Sequence, residues 1–173
     1  MTTDVLPTIT ESKALELLRG FFLTLVSCEV IRAQQNRVPM PKTDFIALTP
    51  ITLTQLNVPF NTNTATTQTI EQHYQFQVQV DCYGAAAMGR ATTLIMLLRD
   101  SVATEYFDST GYDMQTLYAE DARQLPIIDD QDQFLERWTF TAVLQLNQQI
   151  TITTETANTV SVDLINVDAT YPA

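Results

Sequence analysis

The side chains able to carry chemistry are few and poorly placed for it. His73 is the single histidine, so acid–base work by an imidazole would have to run through one ring at the start of a strand; a solvated strand histidine is the expectation. Ser12 and Ser27 fall in or at the end of the first predicted helix, and no serine occupies the Gly-x-Ser-x-Gly elbow that exposes a nucleophile. Cys28 and Cys82 have no second thiol or histidine at metal-ligand spacing, which predicts two reduced, buried thiols. Asp81 beside Cys82 would raise a thiol pKa rather than activate it. Asp129-Asp130-Gln131-Asp132 begins like a calcium loop, but Phe134 stands where the loop requires its glycine and the closing glutamate is missing. Gly84 to Gly89 offers glycines after a strand without the dinucleotide spacing or a phosphate-binding lysine. No catalytic, cofactor-binding or metal-ligating residue is therefore assigned, no cofactor is expected, and an enzyme is not the expected class.

What remains is a matter of surfaces, and composition constrains them. Of 173 residues, 20 are Asp or Glu and 9 are Lys or Arg, a formal net charge of −11, while hydrophobic residues make up 45%. A chain this long buries roughly 70% of its unfolded surface as one domain, so residues 1–173 are read as a single domain that needs no staple. The acidic balance argues against phosphate-backbone binding, which requires clustered Lys and Arg. Ten acidic residues lie between Asp100 and Glu136, whereas seven of the nine cationic ones precede Asp100 and none follows Arg137. The 27 threonines and 15 glutamines suit strands with one hydrated face. The start, Met1-Thr2-Thr3-Asp4, lacks the pattern of a signal peptide. Glu16, Arg19 and Glu29 interrupt the most apolar stretch, so no membrane association is expected.

Element by element, Thr8-Ile9-Thr10-Glu11 reads as a capping box opening a helix from about Thr10 to Ser27. A short strand at 29–33 leads to a loop through Gln34–Pro41, and a strand-rich segment, Thr43–Leu56, is disturbed at Pro50. Residues 58–69 read as a hairpin tip. From Tyr74 to Tyr83, apolar residues alternate with Gln75, Gln77, Gln79 and Asp81, which predicts a strand with one buried and one wet face. That row of uncharged amides is a candidate subunit contact. A single second helix is expected from Ala85 to about Phe107, then a long connection, Asp108–Asp132, then strands at 134–146, 150–153 and 160–164. The order excludes a doubly wound sheet and predicts an α+β fold: a mainly antiparallel, twisted β-sheet with two α-helices packed on one face.

One ordered set of segments goes beyond general folding rules. Gln34-Gln35-Asn36-Arg37 with Pro39 and Pro41, Asp44-Phe45, Thr49-Pro50, Val80-Asp81-Cys82-Tyr83-Gly84 before an Ala-rich helix, Leu117-Tyr118-Ala119, Arg137-Trp138 and Val167-Asp168-Ala169 together resemble the phage neck or tail terminator family. The resemblance implies a structural virion protein: a ring, usually of six copies, that caps the tail tube and joins it to the neck or head connector. Its partners would be further copies of the chain, the tail-tube protein, the connector proteins and DNA passing without specific binding, with assembly in the host cytoplasm. Candidate subunit-interface residues are Gln35, Asn36, Arg37, Gln75, Gln77, Gln79, Tyr118 and Arg123. Candidate acidic residues facing the lumen or tube are Asp113, Glu120, Asp121, Asp129, Asp130 and Asp132. The Asp108–Asp132 connection is expected to be a subunit- or tube-facing arm.

Size makes such a ring physically sensible. A domain of this length has a radius of gyration of roughly 16 Å, equivalent to a sphere about 40 Å across; six leave a hole about 40 Å wide and three about 6 Å. Duplex DNA, roughly 20 Å across, clears only the larger. Three alternatives stay open: a neighbouring neck ring such as a stopper or connector, a monomeric ligand-binding module using the cleft between sheet and helices, and a metal-dependent enzyme using the acids between Asp100 and Glu136.

Overall fold

A computed structural model describes residues 4–34, 40–128 and 134–154. In chain order it contains α1 (Glu11–Leu25), β1 (Glu29–Arg32), β2 (Phe45–Gln55), β3 (Phe60–Asn63), β4 (Thr67–Tyr83), α2 (Ala87–Leu98), α3 (Ser101–Ser109), β5 (Met114–Ala119), β6 (Arg123–Gln124), β7 (Ile127–Ile128), β8 (Phe134–Leu135) and β9 (Arg137–Thr153). The spine is the pair β4 and β9, each 17 residues long. They run antiparallel without a register slip, from Thr67 opposite Thr153 to Tyr83 opposite Arg137. Because side chains alternate across a sheet, this unbroken register puts Phe76, Val78, Val80 and Cys82 on the same face as Phe140, Ala142, Leu144 and Leu146. Every odd-numbered residue of both strands goes to the other face.

Around this spine the sheet runs β1-β2-β4-β9-β5, with β3 extending the β2 side along β4 and β6 the β5 side along β9. Only β1 and β2 are parallel. A bulge between Pro50 and Thr52 absorbs the proline without breaking β2. All three helices cover the even-numbered face. Leu18, Phe21 and Phe22 of α1, Ala91, Leu94 and Leu98 of α2, and Ala103 and Phe107 of α3 close a core against β4 and β9. Each large side chain so buried contributes about 1.5–3 kcal/mol. The helices approach closely where α1 has Gly20: a Cβ there would lie 2.5 Å from the Tyr106 hydroxyl of α3.

The α+β class and mainly antiparallel sheet agree with expectation, and the differences have local causes. Thr10, not Thr8, caps α1, accepting from the Lys13 amide at 3.3 Å. Thr8 instead joins β9: its amide donates to the Gln149 carbonyl and its hydroxyl accepts from the Gln149 amide, both at 3.0 Å. The expected single second helix is two, so three helices cover the sheet. Asp100 adopts an extended conformation (φ −104°, ψ 164°) and its carboxylate accepts from the Val102 amide, starting α3 afresh. The apolar spacing continues across the break, which is why periodicity alone hides it. Within the expected long connection, residues 114–119 form β5 on the sheet edge against β9, with Leu117 skipped at a bulge. The strands expected at 134–146 and 150–153 are one from 137 onward, and residues 134–135 pair with β7 instead. The segment 160–164 lies outside the described residues.

Candidate subunit interface

The odd-numbered face of the sheet is left uncovered by helices. Paired residues share a face, so Gln75 lies beside Gln145, Gln77 beside Val143 and Gln79 beside Thr141, with Thr54, Thr52 and Thr49 on the β2 side. Val143 is fully buried although, among the described residues, no helix lies over it. The centre of this face carries no charge. The Gln75 and Gln77 side-chain amides make no hydrogen bond among the described residues, leaving donors and acceptors for a partner or for water.

One end of the face carries a matched ion pair. Asp81 and Arg137 project from β4 and β9 one pairing step from each other, with Arg137 Nε 3.0 Å and Nη2 2.9 Å from Asp81 Oδ1. Gln79 Nε2 donates to both Asp81 oxygens at 3.1 and 2.9 Å. Phe45 and Tyr83 stack beside the pair at 4.4 Å between centroids, and the Arg137 guanidinium lies over the Tyr83 ring. Burial pushes the Tyr83 phenol up, Asp81 adds to the rise and Arg137 opposes it. These groups floor a groove of about 510 Å³ that also includes Ile31, Arg32 and Met40. Composition gives no hint of the pair: its partners are 56 residues apart and meet only once the register is known.

The register also gathers the candidate interface residues. Gln75, Gln77 and Gln79 occupy the open face; Tyr118 joins it opposite Val143 and Arg123 opposite Thr139. Gln35, Asn36 and Arg37 lie outside the described residues. The acidic candidates are not gathered in the same way. Asp113 sits before β5, where its carboxylate accepts from Asn147 Nδ2 at 2.8 Å. Glu120 and Asp121 follow β5 at its other end, about 20 Å away by strand rise, where Asp121 meets Arg99 at 3.1 Å. Asp129, Asp130 and Asp132 lie outside the described residues.

Chemical sites remain sparse. Cys82 is buried in the core, its pKa pushed up to about 12, first by burial and then by Cys28 and Asp81. Burial raises Cys28 too. His73 pairs with Glu71 at 2.9 Å on the open face. Among the described residues, no three His, Cys, Asp or Glu side chains form a metal-holding group, and no helix is long and apolar enough to cross a membrane. Packed core fills most of the space between sheet and helices, with a cavity of about 210 Å³ between α1 and the β1–β2 strands, lined by Leu15, Arg19, Arg32 and Leu48; the groove of about 510 Å³ is on the opposite face.

A family described as phage neck terminator protein matches residues 13–170 of this chain. None of the curated proteins matches it.

Proposed function

Because the chain belongs to the phage neck terminator family, whose members are structural proteins of the virion neck, we propose that it closes the tail as a ring of identical copies, six in number. The ring caps the tail tube, joins it to the neck or head connector and lets DNA pass through its lumen without specific binding. The observation that supports this reading is the sheet face that carries no helix among the described residues, uncharged at its centre, on which the described interface candidates all fall. An acidic protein can join copies of itself there without burying unpaired charge. Asp113, Glu120 and Asp121, at the two ends of β5, and in sequence Asp129, Asp130 and Asp132, are assigned to the lumen or tube side, where carboxylates repel phosphate. Assembly takes place in the host cytoplasm.

Native mass spectrometry and sedimentation with purified tail tubes of the encoding phage test the reading. The expected result is a six-copy species, free at high concentration or bound to tube ends. A chain that stays monomeric at every concentration and does not bind tubes removes it. A ring that binds the connector but not the tube moves the chain to a stopper or connector position.

A further inference from the structure

Beyond the helix-covered core, the sheet continues as an arm. Phe76 and Leu146 are the last core residues of their strands on this side, yet β4 runs back to Thr67 and β9 on to Thr153, with β3 alongside β4. This three-stranded extension is about 25 Å long and 14 Å wide, and no helix packs on it. Laid flat, one face of it offers on the order of 350 Å² per copy, roughly half of one partner's share of a standard interface. Its root is built with care. Gln72, buried, donates from Nε2 to the Asn57 carbonyl and side-chain oxygens at 2.6 and 2.7 Å, and the His73 amide donates to Asn57 Oδ1 at 3.0 Å.

Two properties of the arm point to what covers it. Val58 and Phe60 are 83% and 65% exposed, and Leu53 and Leu56 are also exposed, a concentration of apolar surface unusual for strands in water. The ionisable side chains on the arm and its β2 flank, residues 51–74 and 147–153, are Glu71 and His73, which pair with each other, and the Tyr74 phenol. In a chain of net charge −11, a surface whose one carboxylate is Glu71 is where a second, equally acidic copy can approach with little repulsion; a cationic partner would instead select the more acidic surfaces. The open face of that second copy is equally uncharged at its centre and presents the unbonded amides of Gln75 and Gln77. The β3 edge, with Asn61 and Asn63, presents amides and free backbone groups to meet them.

We propose that this arm is the donor half of the subunit contact: each copy lays residues 60–63 and the adjoining ends of β4 and β9 onto the open sheet face of the next. The contact is heterologous, one patch meeting a different one, as ring closure requires. The proposal rests on the ring reading above and fails separately from it.

The test places p-benzoylphenylalanine at Phe60 and irradiates a mixture of isotopically heavy and light chains assembled on tail tubes. Cross-links between heavy and light chains are expected to fall in residues 75–81 or 139–145. In parallel, Phe60→Lys with Val58→Lys should weaken assembly at least tenfold, about the cost of losing one good interface anchor, with an unchanged melting temperature because both side chains are exposed and lie outside the core. If the wild type assembles but the label joins only the tube protein, or only its own chain, the arm proposal is overturned and the ring stands. The arm is equally overturned if the double variant assembles like wild type. If the wild type does not assemble at all, the ring reading fails and takes the arm with it.

Discussion

At the residue scale, the Asp81–Arg137 pair is the most consequential side-chain arrangement outside the apolar core. Asp81 is buried and its carboxylate is fully engaged by Arg137 and Gln79. Removing one partner strands the other charge in a poorly solvated site. Arg137→Met should therefore lower stability by about 3–5 kcal/mol, whereas Asp81→Leu with Arg137→Met should recover most of the loss, as read by urea denaturation. The thiols make a second prediction. Cys82 keeps its proton in the folded chain to about pH 12, against an ordinary value of 9.0, and Cys28 and Tyr83 are shifted in the same direction. The unfolded chain releases these protons earlier, so the stability present below pH 9 should be lost as pH rises toward 12. Melting temperatures across that range check it.

At the element scale, a few backbone positions decide where strands and helices stop. Gly84 ends β4 at φ +102°, donating its amide to the Glu136 carbonyl, and a Cβ there would sit 1.9 Å from an Asp44 oxygen. Asp44 in turn holds Arg90 of α2 at 2.9 Å, so the turn, β2 and α2 are tied at one point. Gly84→Ala should cost about 2–3 kcal/mol from the strained backbone and the displaced carboxylate, measured as a shift in denaturation midpoint with an unchanged m-value. The break at Asp100 works differently: one capping carboxylate ends a helix that the apolar spacing would have continued. It turns α3 over β5, with Arg99 reaching the Ala119 carbonyl. What reads in sequence as a long acidic connection thereby supplies, in its described part, the edge strands β5 and β6.

At the scale of the whole molecule, charge and shape are divided between surfaces. Among the described residues, the helices and the connections between elements carry most of the charge, while the centre of the open face has none and the arm has Glu71 beside His73. On the proposed reading, copies join through uncharged amides, hydroxyls and apolar side chains and present a repelling surface to DNA. The protein should show no retention of duplex DNA in a gel-shift assay at about 0.15 M salt. Retention that weakens as salt rises would mean that cationic groups are presented together, contrary to the polarised charge of the chain.

Much of this was readable from residues alone, for a physical reason: local spacing records which side of an element faces apolar surroundings. The alternation from Tyr74 to Tyr83 identified both the buried face and the row Gln75, Gln77, Gln79, and the apolar stripe of residues 14–22 identified α1. Ordered segments along the chain pointed to the family. Contacts between distant segments leave no such record. The meeting of Asp81 with Arg137, the arrival of Tyr118 and Arg123 on the glutamine face, the wide separation of Asp113 from Glu120, and the arm beyond the helices all depend on the register of β4 with β9. That register is settled by burying the even-numbered side of both strands at once, a condition on pairs of segments that only the tertiary structure satisfies.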